Sequence, residues 1–320
     1  MRNEAPARSV SGMEATLEAQ GLRKRYGSTV AVDGLSFTVR PGVVTGFVGP
    51  NGAGKSTTMR LFLGLDAPDA GAALVGSRPY PELASPLREV GALLDAGAFH
   101  PGRSAREHLR WLAASNGLPR GRVEEVLDQV GLARVTRRRV GGFSLGMAQR
   151  LGIAAALLGD PPILLLDEPV NGLDPDGIRW IRGLLRSLAA EGRVVLVSSH
   201  LMSELEDTAD HLIVIGRGKL IADIAVRDLL KEAGDASVTI RTPEAARALA
   251  LLAENGATVT SSKADTLSVA GLDAARIADL AAEYGLRLTE LAPQRATLEE
   301  AFMRLTRDAV EFSAGGDGRS

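Results

Sequence analysis

Residues 49–57 read Gly-Pro-Asn-Gly-Ala-Gly-Lys-Ser-Thr, the spacing of a loop that wraps phosphate groups with its own backbone. Glycines at 49, 52 and 54 let amide N–H groups turn inward and crowd phosphate oxygens with no Cβ in the way. A helix expected to start near Lys55 aims the positive end of its dipole at the same anion. The Lys55 ammonium has the reach for β- and γ-phosphates, and the Ser56 hydroxyl can ligate Mg2+. Gly49, Pro50, Asn51, Gly52, Ala53, Gly54, Lys55, Ser56 and Thr57 are therefore the predicted nucleotide-phosphate residues.

A second chemical signal lies at 163–169, Ile-Leu-Leu-Leu-Asp-Glu-Pro. An apolar strand there ends in two adjacent carboxylates. Asp167 at the strand tip can hold Mg2+ through water, and Glu168 is then placed to polarise a water beside the γ-phosphate. His200 follows another apolar run in Ser-Ser-His-Leu. A lone histidine is more often structural, but a position past a strand end is where open parallel sheets place ligands.

Positioning these groups requires strands that end on one edge. The Val-rich run 43–48 reads as a buried strand leading into the glycine loop and a helix at 57–64. Strands are expected at 163–166, 194–198 and 212–215, with helices at 178–190 and 203–209. Strands near 16–19 and 35–39 precede them, and 98–158 reads mostly as helix. This alternation predicts an α/β core with a largely parallel sheet. From about 233 the pattern changes to β-α-β-β-α-β-α: strands at 237–241, 258–262, 266–270 and 287–291, helices at 243–254, 273–283 and 297–305. That order suggests a small α+β, ferredoxin-like accessory domain over 233–310, with no chemical motif in it. The expected divisions are a disordered tail at 1–15, a nucleotide-binding domain at 16–232 with a helical subdomain at about 98–158, the accessory domain, and a disordered tail at 311–320.

Composition restricts the function classes. Of 320 residues, 45% are hydrophobic and 24% charged, enough for a sizeable core. A net charge of −2 gives no reason to expect a nucleic-acid partner. With no cysteine, disulfides and cysteine metal sites are excluded, and a reducing cytoplasm is permitted. The first residues carry charge and lack an apolar core, so no signal peptide is expected. No apolar run approaches the ~20 residues of a membrane span, so in a transport role another chain must supply the membrane path.

The phosphate loop, the Leu-Leu-Leu-Asp-Glu-Pro stretch, Asn171-Gly-Leu-Asp174-Pro and His200 come in the order of ABC-type ATPases. Between the two nucleotide motifs, Phe143-Ser144-Leu145-Gly146-Met147-Ala148-Gln149-Arg150 resembles the signature sequence of that family. The resemblance covers about residues 16–230. It implies a P-loop ABC-type ATPase core that binds ATP and Mg2+ and works as a head-to-tail pair, with a second copy or a paralogue. Each ATP would lie between the phosphate loop of one copy and Ser144 and the Gly146 backbone of the other. Tyr26 would stack on adenine, Asp174 would lie at the dimer contact, and His200 would sense the γ-phosphate. For Tyr26 the plainer reading is a partly exposed tyrosine before a glycine turn.

Two departures stand out. Leu145 replaces the first of two adjacent signature glycines, a variant similar to that of bacterial bacitracin- and daunorubicin-resistance ATPases. The family's metal-linking glutamine falls at Asp95, which can ligate Mg2+ or be a solvated loop carboxylate. The implied function is an ATP-hydrolysing subunit, with Glu168, His200 and Lys55 catalytic, that powers a separate transmembrane permease. It would sit in the cytoplasm on the inner face of the cell membrane and export a drug, lipid or other small amphiphile. The competing readings are a soluble ABC ATPase acting on ribosomes or nucleic acid, and an inactive regulatory module. The first usually carries two cores or a long coiled coil, and the second is opposed by the intact Lys55, Asp167 and Glu168.

Overall fold

The computed structural model describes residues 15–232, 237–294, 298–299 and 302. The expected tails at 1–15 (but for Ala15) and 311–320, and the helix expected at 297–305 (but for Leu298, Glu299 and Phe302), lie outside the described residues. The chain divides between Ala225 and Val226 into two compact units, ahead of the boundary at 232 read from the change of pattern.

In the first unit, β1 (Leu17–Tyr26) and β2 (Thr29–Val39) form a hairpin with Gly27 at a φ of 60° in its turn. β3 (Val44–Val48) is buried at every residue and runs into the loop before α1 (Lys55–Phe62). β4 (Ala70–Val75) returns antiparallel to β1. One turn of helix, α2 (Pro86–Glu89), leads to β5 (Val90–Leu93). Three helices follow: α3 (Ala105–Ser115), α4 (Gly121–Gln129) and α5 (Leu145–Leu157). The region read as mostly helical is thus three helices separated at 116–120 and 130–144, the second gap holding two 3-10 turns, Ala133–Val135 and Val140–Gly142. Then come β6 (Ile163–Leu166), α6 (Pro175–Ala190), β7 (Val194–Ser199), α7 (Met202–Leu205), β8 (His211–Gly216) and β9 (Lys219–Ala225).

Two sheets result. One is antiparallel, in the order β2-β1-β4; the other has the order β5-β6-β7-β3-β8-β9, parallel except at β9. Strands β3, β6 and β7 are buried along their whole length. That is why they read as continuous apolar runs, since a parallel sheet is covered on both faces. Strands β4, β5 and β9 did not stand out: they are short or only partly buried, and their patterns lack a clear period. The sheets meet around Phe37, Phe47 and Phe62, from β2, β3 and α1, with ring centroids 5.5 and 5.9 Å apart. Each such buried ring contributes ~1.5–3 kcal/mol, and together they anchor α1, whose first turn carries Lys55, Ser56 and Thr57.

The second unit begins with α8 (Val226–Glu232). It continues with β10 (Ser237–Arg241), α9 (Ala245–Glu254), β11 (Thr258–Lys263), β12 (Thr266–Ala270), α10 (Ala274–Glu283) and β13 (Glu290–Gln294). Its sheet is antiparallel in the order β11-β12-β10-β13, a split β-α-β arrangement. Val238, Ile240, Leu267 and Val269 pack with Ala248, Leu252, Ile277 and Leu280 of the two helices. Among the described residues no helix is long and apolar enough to cross a membrane.

Candidate functional site

Strands β6, β7 and β3 are parallel neighbours and end on the same edge of the sheet. The glycine loop leaves the end of β3, Asp167 and Glu168 follow β6, and Ser198 and Ser199 close β7 just before His200. Strand order therefore brings residues far apart in the chain into contact. Ser56 Oγ donates to Asp167 Oδ2 at 2.6 Å, and His200 Nδ1 lies 2.9 Å from Glu168 Oε2.

The loop glycines have local reasons. Gly54 N-caps α1 at a φ of 106°, and a Cβ there would come 2.4 Å from the Ala31 carbonyl oxygen. At Gly49 a Cβ would meet the Ile215 carbonyl oxygen at 2.3 Å, and Gly52 has a φ of 79°. Ala53 N–H donates to Pro50 O at 3.1 Å and closes the turn, leaving Asn51 exposed at the tip. The N–H groups of Lys55, Ser56 and Thr57, in the first turn of α1, have no acceptor within the helix.

Lys55 is buried, and its ammonium donates to Gly49 O at 2.6 Å and Pro50 O at 3.4 Å. Burial pushes its pKa below the ordinary lysine value, and the Glu168 and Asp167 carboxylates oppose that shift. An ammonium beside free N–H groups at a helix N-terminus fits a polyphosphate. The Ser56 hydroxyl against the Asp167 carboxylate is an oxygen pair suited to Mg2+. Among the described residues no cluster of three or more His, Asp or Glu could hold a metal. An ion at Ser56 and Asp167 would therefore take further ligands from phosphate and water, as Mg2+ commonly does.

Glu168 has a positive φ of 48°. Its N–H donates to Ser198 Oγ at 2.9 Å, while its carbonyl accepts from Gln149 Nε2 at 3.1 Å and Asn171 N–H at 3.2 Å. Ser198 Oγ also donates to Asp167 Oδ1. Ser198 and Gln149 were missed by sequence reasoning. The visible signals were a serine ending an otherwise apolar strand and the place of Gln149 in the stretch that resembles the family signature.

Other predicted residues lie elsewhere. Asp95, past the end of β5, is turned onto its own loop, with Oδ1 accepting from Gly97 N–H at 2.6 Å. Ser144 N-caps α5, accepting from Met147 N–H at 3.3 Å. Gly146 sits against Gly172 and Leu173 rather than the phosphate loop of its own chain. Leu145 is largely exposed while its side chain lies over Gly172. Asp174 N-caps α6 through Gly177 N–H at 2.8 Å. The Tyr26 hydroxyl donates to Asp66 at 2.7 Å, and that carboxylate raises the phenol pKa. Arg60 of α1 holds Asp66 at 2.7 Å, which ties Tyr26 to α1 while the residue stays 46% exposed.

Residues 32–171 match the family model described as ABC transporter, and 236–299 match a domain of unknown function. The bacitracin transport ATP-binding protein of Bacillus licheniformis is 43% identical over 222 residues, 68% of this chain and 72% of that one. An uncharacterised ABC transporter ATP-binding protein of Bacillus subtilis is 34% identical over 302 residues, covering 93% of this chain and 98% of that protein. A solved ATP-binding subunit of an ABC transporter superposes with a TM-score of 0.62 at 28% identity, over 68% of this chain and 92% of that one.

Proposed function

The chain belongs to the ABC transporter family of ATP-binding proteins and hydrolyses ATP, and from that premise we propose that it works as a head-to-tail pair driving a separate membrane permease. The observation that carries the site reading is the meeting of Lys55, Ser56, Asp167, Glu168 and His200 at one sheet edge. In this reading the 49–57 loop and Lys55 hold the β- and γ-phosphates. Ser56 and Asp167 hold Mg2+, which supplies charge neutralisation on the phosphate oxygens. Glu168 orients and polarises the attacking water, and His200 faces the γ-phosphate from the next strand tip. Tyr26 stacks on the adenine.

Ser144 and the Gly146 backbone, at the N-terminus of α5, engage the γ-phosphate bound by the facing copy. Asp174 lies at the contact between copies. Asp95 stands at the position of the family's metal-linking glutamine, with one carboxylate oxygen held by its own loop. Either a second copy or a paralogue completes the pair, on the inner face of the cell membrane. Export of a drug, lipid or other small amphiphile is supported by relatives named for bacitracin transport, lantibiotic transport and Nod factor export. The accessory unit, 233–310 in the sequence reading, is assigned no chemistry.

The test is to tag the Glu168→Gln variant, isolate it from its host with ATP present, and identify what co-purifies. A multi-spanning membrane protein in stoichiometric amount is expected. Ribosomes or soluble partners with no membrane protein would overturn the transport reading and leave the ATPase standing.

A further inference from the structure

Glu168 is one of few non-glycine residues at positive φ among the described residues. Such a backbone is strained and persists only where its surroundings over-determine it. Both faces of its peptide units are held by buried side chains from other elements. Ser198, fully buried at the end of β7, accepts the Glu168 N–H at 2.9 Å. Gln149, 3% exposed on α5, donates Nε2 to the Glu168 carbonyl at 3.1 Å. Only the amide nitrogen of a glutamine can donate to a carbonyl oxygen, so the orientation of this side chain follows from the contact.

We propose that Ser198 and Gln149 are positioning residues that set the aim of the Glu168 carboxylate, an inference that rests on Glu168 polarising the attacking water. Their hydrogen bonds to Glu168 go to its backbone and not to its carboxylate. They fix the backbone from which it projects, and the carboxylate then meets His200 Nδ1. Removing the Gln149 donor leaves the Glu168 carbonyl with Asn171 N–H alone. The residue can then relax toward right-handed φ, which swings Cβ and carries the carboxylate off line. Ser198 does more than Gln149, because the same hydroxyl donates to Asp167 Oδ1. One oxygen thus sets the register of both adjacent acids, and Gln149 sets that of Glu168 alone.

This asymmetry makes the proposal testable. Full-length Gln149→Met keeps the side-chain length and loses the donor; Ser198→Ala loses the hydroxyl; Ser198→Thr keeps it. Steady-state hydrolysis, equilibrium binding of a fluorescent ATP analogue, Mg2+ half-saturation and melting temperature are measured for each. Gln149→Met is expected to lower kcat by about ten- to a hundredfold, the scale of a small misplacement of a reacting group. Its nucleotide affinity and Mg2+ half-saturation are expected to stay at wild-type values. Ser198→Ala is expected to lower kcat similarly and to raise the Mg2+ half-saturation as well, while Ser198→Thr recovers most of the rate.

Wild-type kcat in Gln149→Met overturns the proposal. So does a loss of rate matched by equal losses of nucleotide binding and melting temperature, which marks a general structural role. If Ser198→Ala fails to fold, Gln149→Met decides alone. Glu168→Gln is assayed alongside: wild-type hydrolysis there refutes the role of Glu168 itself. An inactive Glu168→Gln beside a fully active Gln149→Met refutes the positioning role only.

Discussion

His200 Nδ1 stands 2.9 Å from Glu168 Oε2, joining the tips of adjacent parallel strands across a gap of 32 residues in the chain. His200 both holds Glu168 and presents its other ring nitrogen away from that bond. His200→Ala is expected to lower kcat by about a hundredfold, within the range seen when a positioned polar group is removed from a charged transition state. Single-turnover hydrolysis with saturating ATP measures it. A rate within error of wild type would remove His200 from the site.

Lys55→Ala is expected to abolish measurable hydrolysis, because it deletes the one ammonium seated in the glycine loop. The loss expected is at least about a hundredfold in kcat. A purified, folded Lys55→Ala protein that hydrolyses ATP normally would mean that the 49–57 loop is not the phosphate site.

Tyr26 offers a half-exposed ring whose hydroxyl is anchored to Asp66. Tyr26→Ala is expected to weaken ATP binding by about 1–3 kcal/mol, the range for one base–aromatic stack. Tyr26→Phe keeps the ring and should bind nearly as well as wild type. Equal losses in the two variants would point to the Asp66 hydrogen bond rather than to stacking. Titration with a fluorescent nucleotide separates these outcomes.

Gly54→Ala combines a left-handed φ of 106° with a Cβ placed 2.4 Å from the Ala31 carbonyl oxygen. Backbone strain of this kind costs about 1–3 kcal/mol, and the overlap adds to it. The variant is expected to melt at lower temperature and to bind ATP poorly. Gly52 also has a positive φ but has open space around its Cβ position. Gly52→Ala should therefore be the milder change by calorimetry.

The start of α3 gives a pH prediction. Ser104 Oγ accepts from Glu107 N–H, and Glu107 Oε2 accepts from Ser104 N–H at 2.9 Å. That backbone bond, with the Ser104 hydroxyl, holds the Glu107 carboxyl below its ordinary pKa. The folded value is the lower one, so the stabilisation is complete above the unfolded value of about 4.3 and fades as pH falls through the folded value. Urea midpoints of wild type and Glu107→Gln are expected to differ near neutral pH and to converge in acid. Ser104→Ala should cost about 1 kcal/mol.

Much of the site was readable as sequence because its chemistry is local. Glycines, Lys55 and Ser56 lie within one loop and one helical turn, and Asp167 and Glu168 sit at the end of an apolar run. Buried parallel strands also announce themselves, as at β3, β6 and β7. Short or half-buried strands such as β4, β5 and β9 do not, because neither a period of two nor a continuous apolar run marks them. Tyr26 was placed by resemblance, and the bond tying it to Asp66 depends on how the β1–β2 hairpin lies against α1.

By itself, then, the sequence determined the α/β class and the family, and it marked the glycine loop at 49–57 and the paired acids as the candidate site. Strand order was decided by tertiary structure: β6 beside β7 beside β3. No local pattern encodes which strands are neighbours, since burial on both faces makes them alike in composition. That order places Ser198 against both acids and His200 against Glu168. The packing of α5 brings Gln149 to the Glu168 carbonyl. The left-handed backbone of Glu168 follows from these same contacts, because a strained φ at a non-glycine residue survives only where distant side chains hold it.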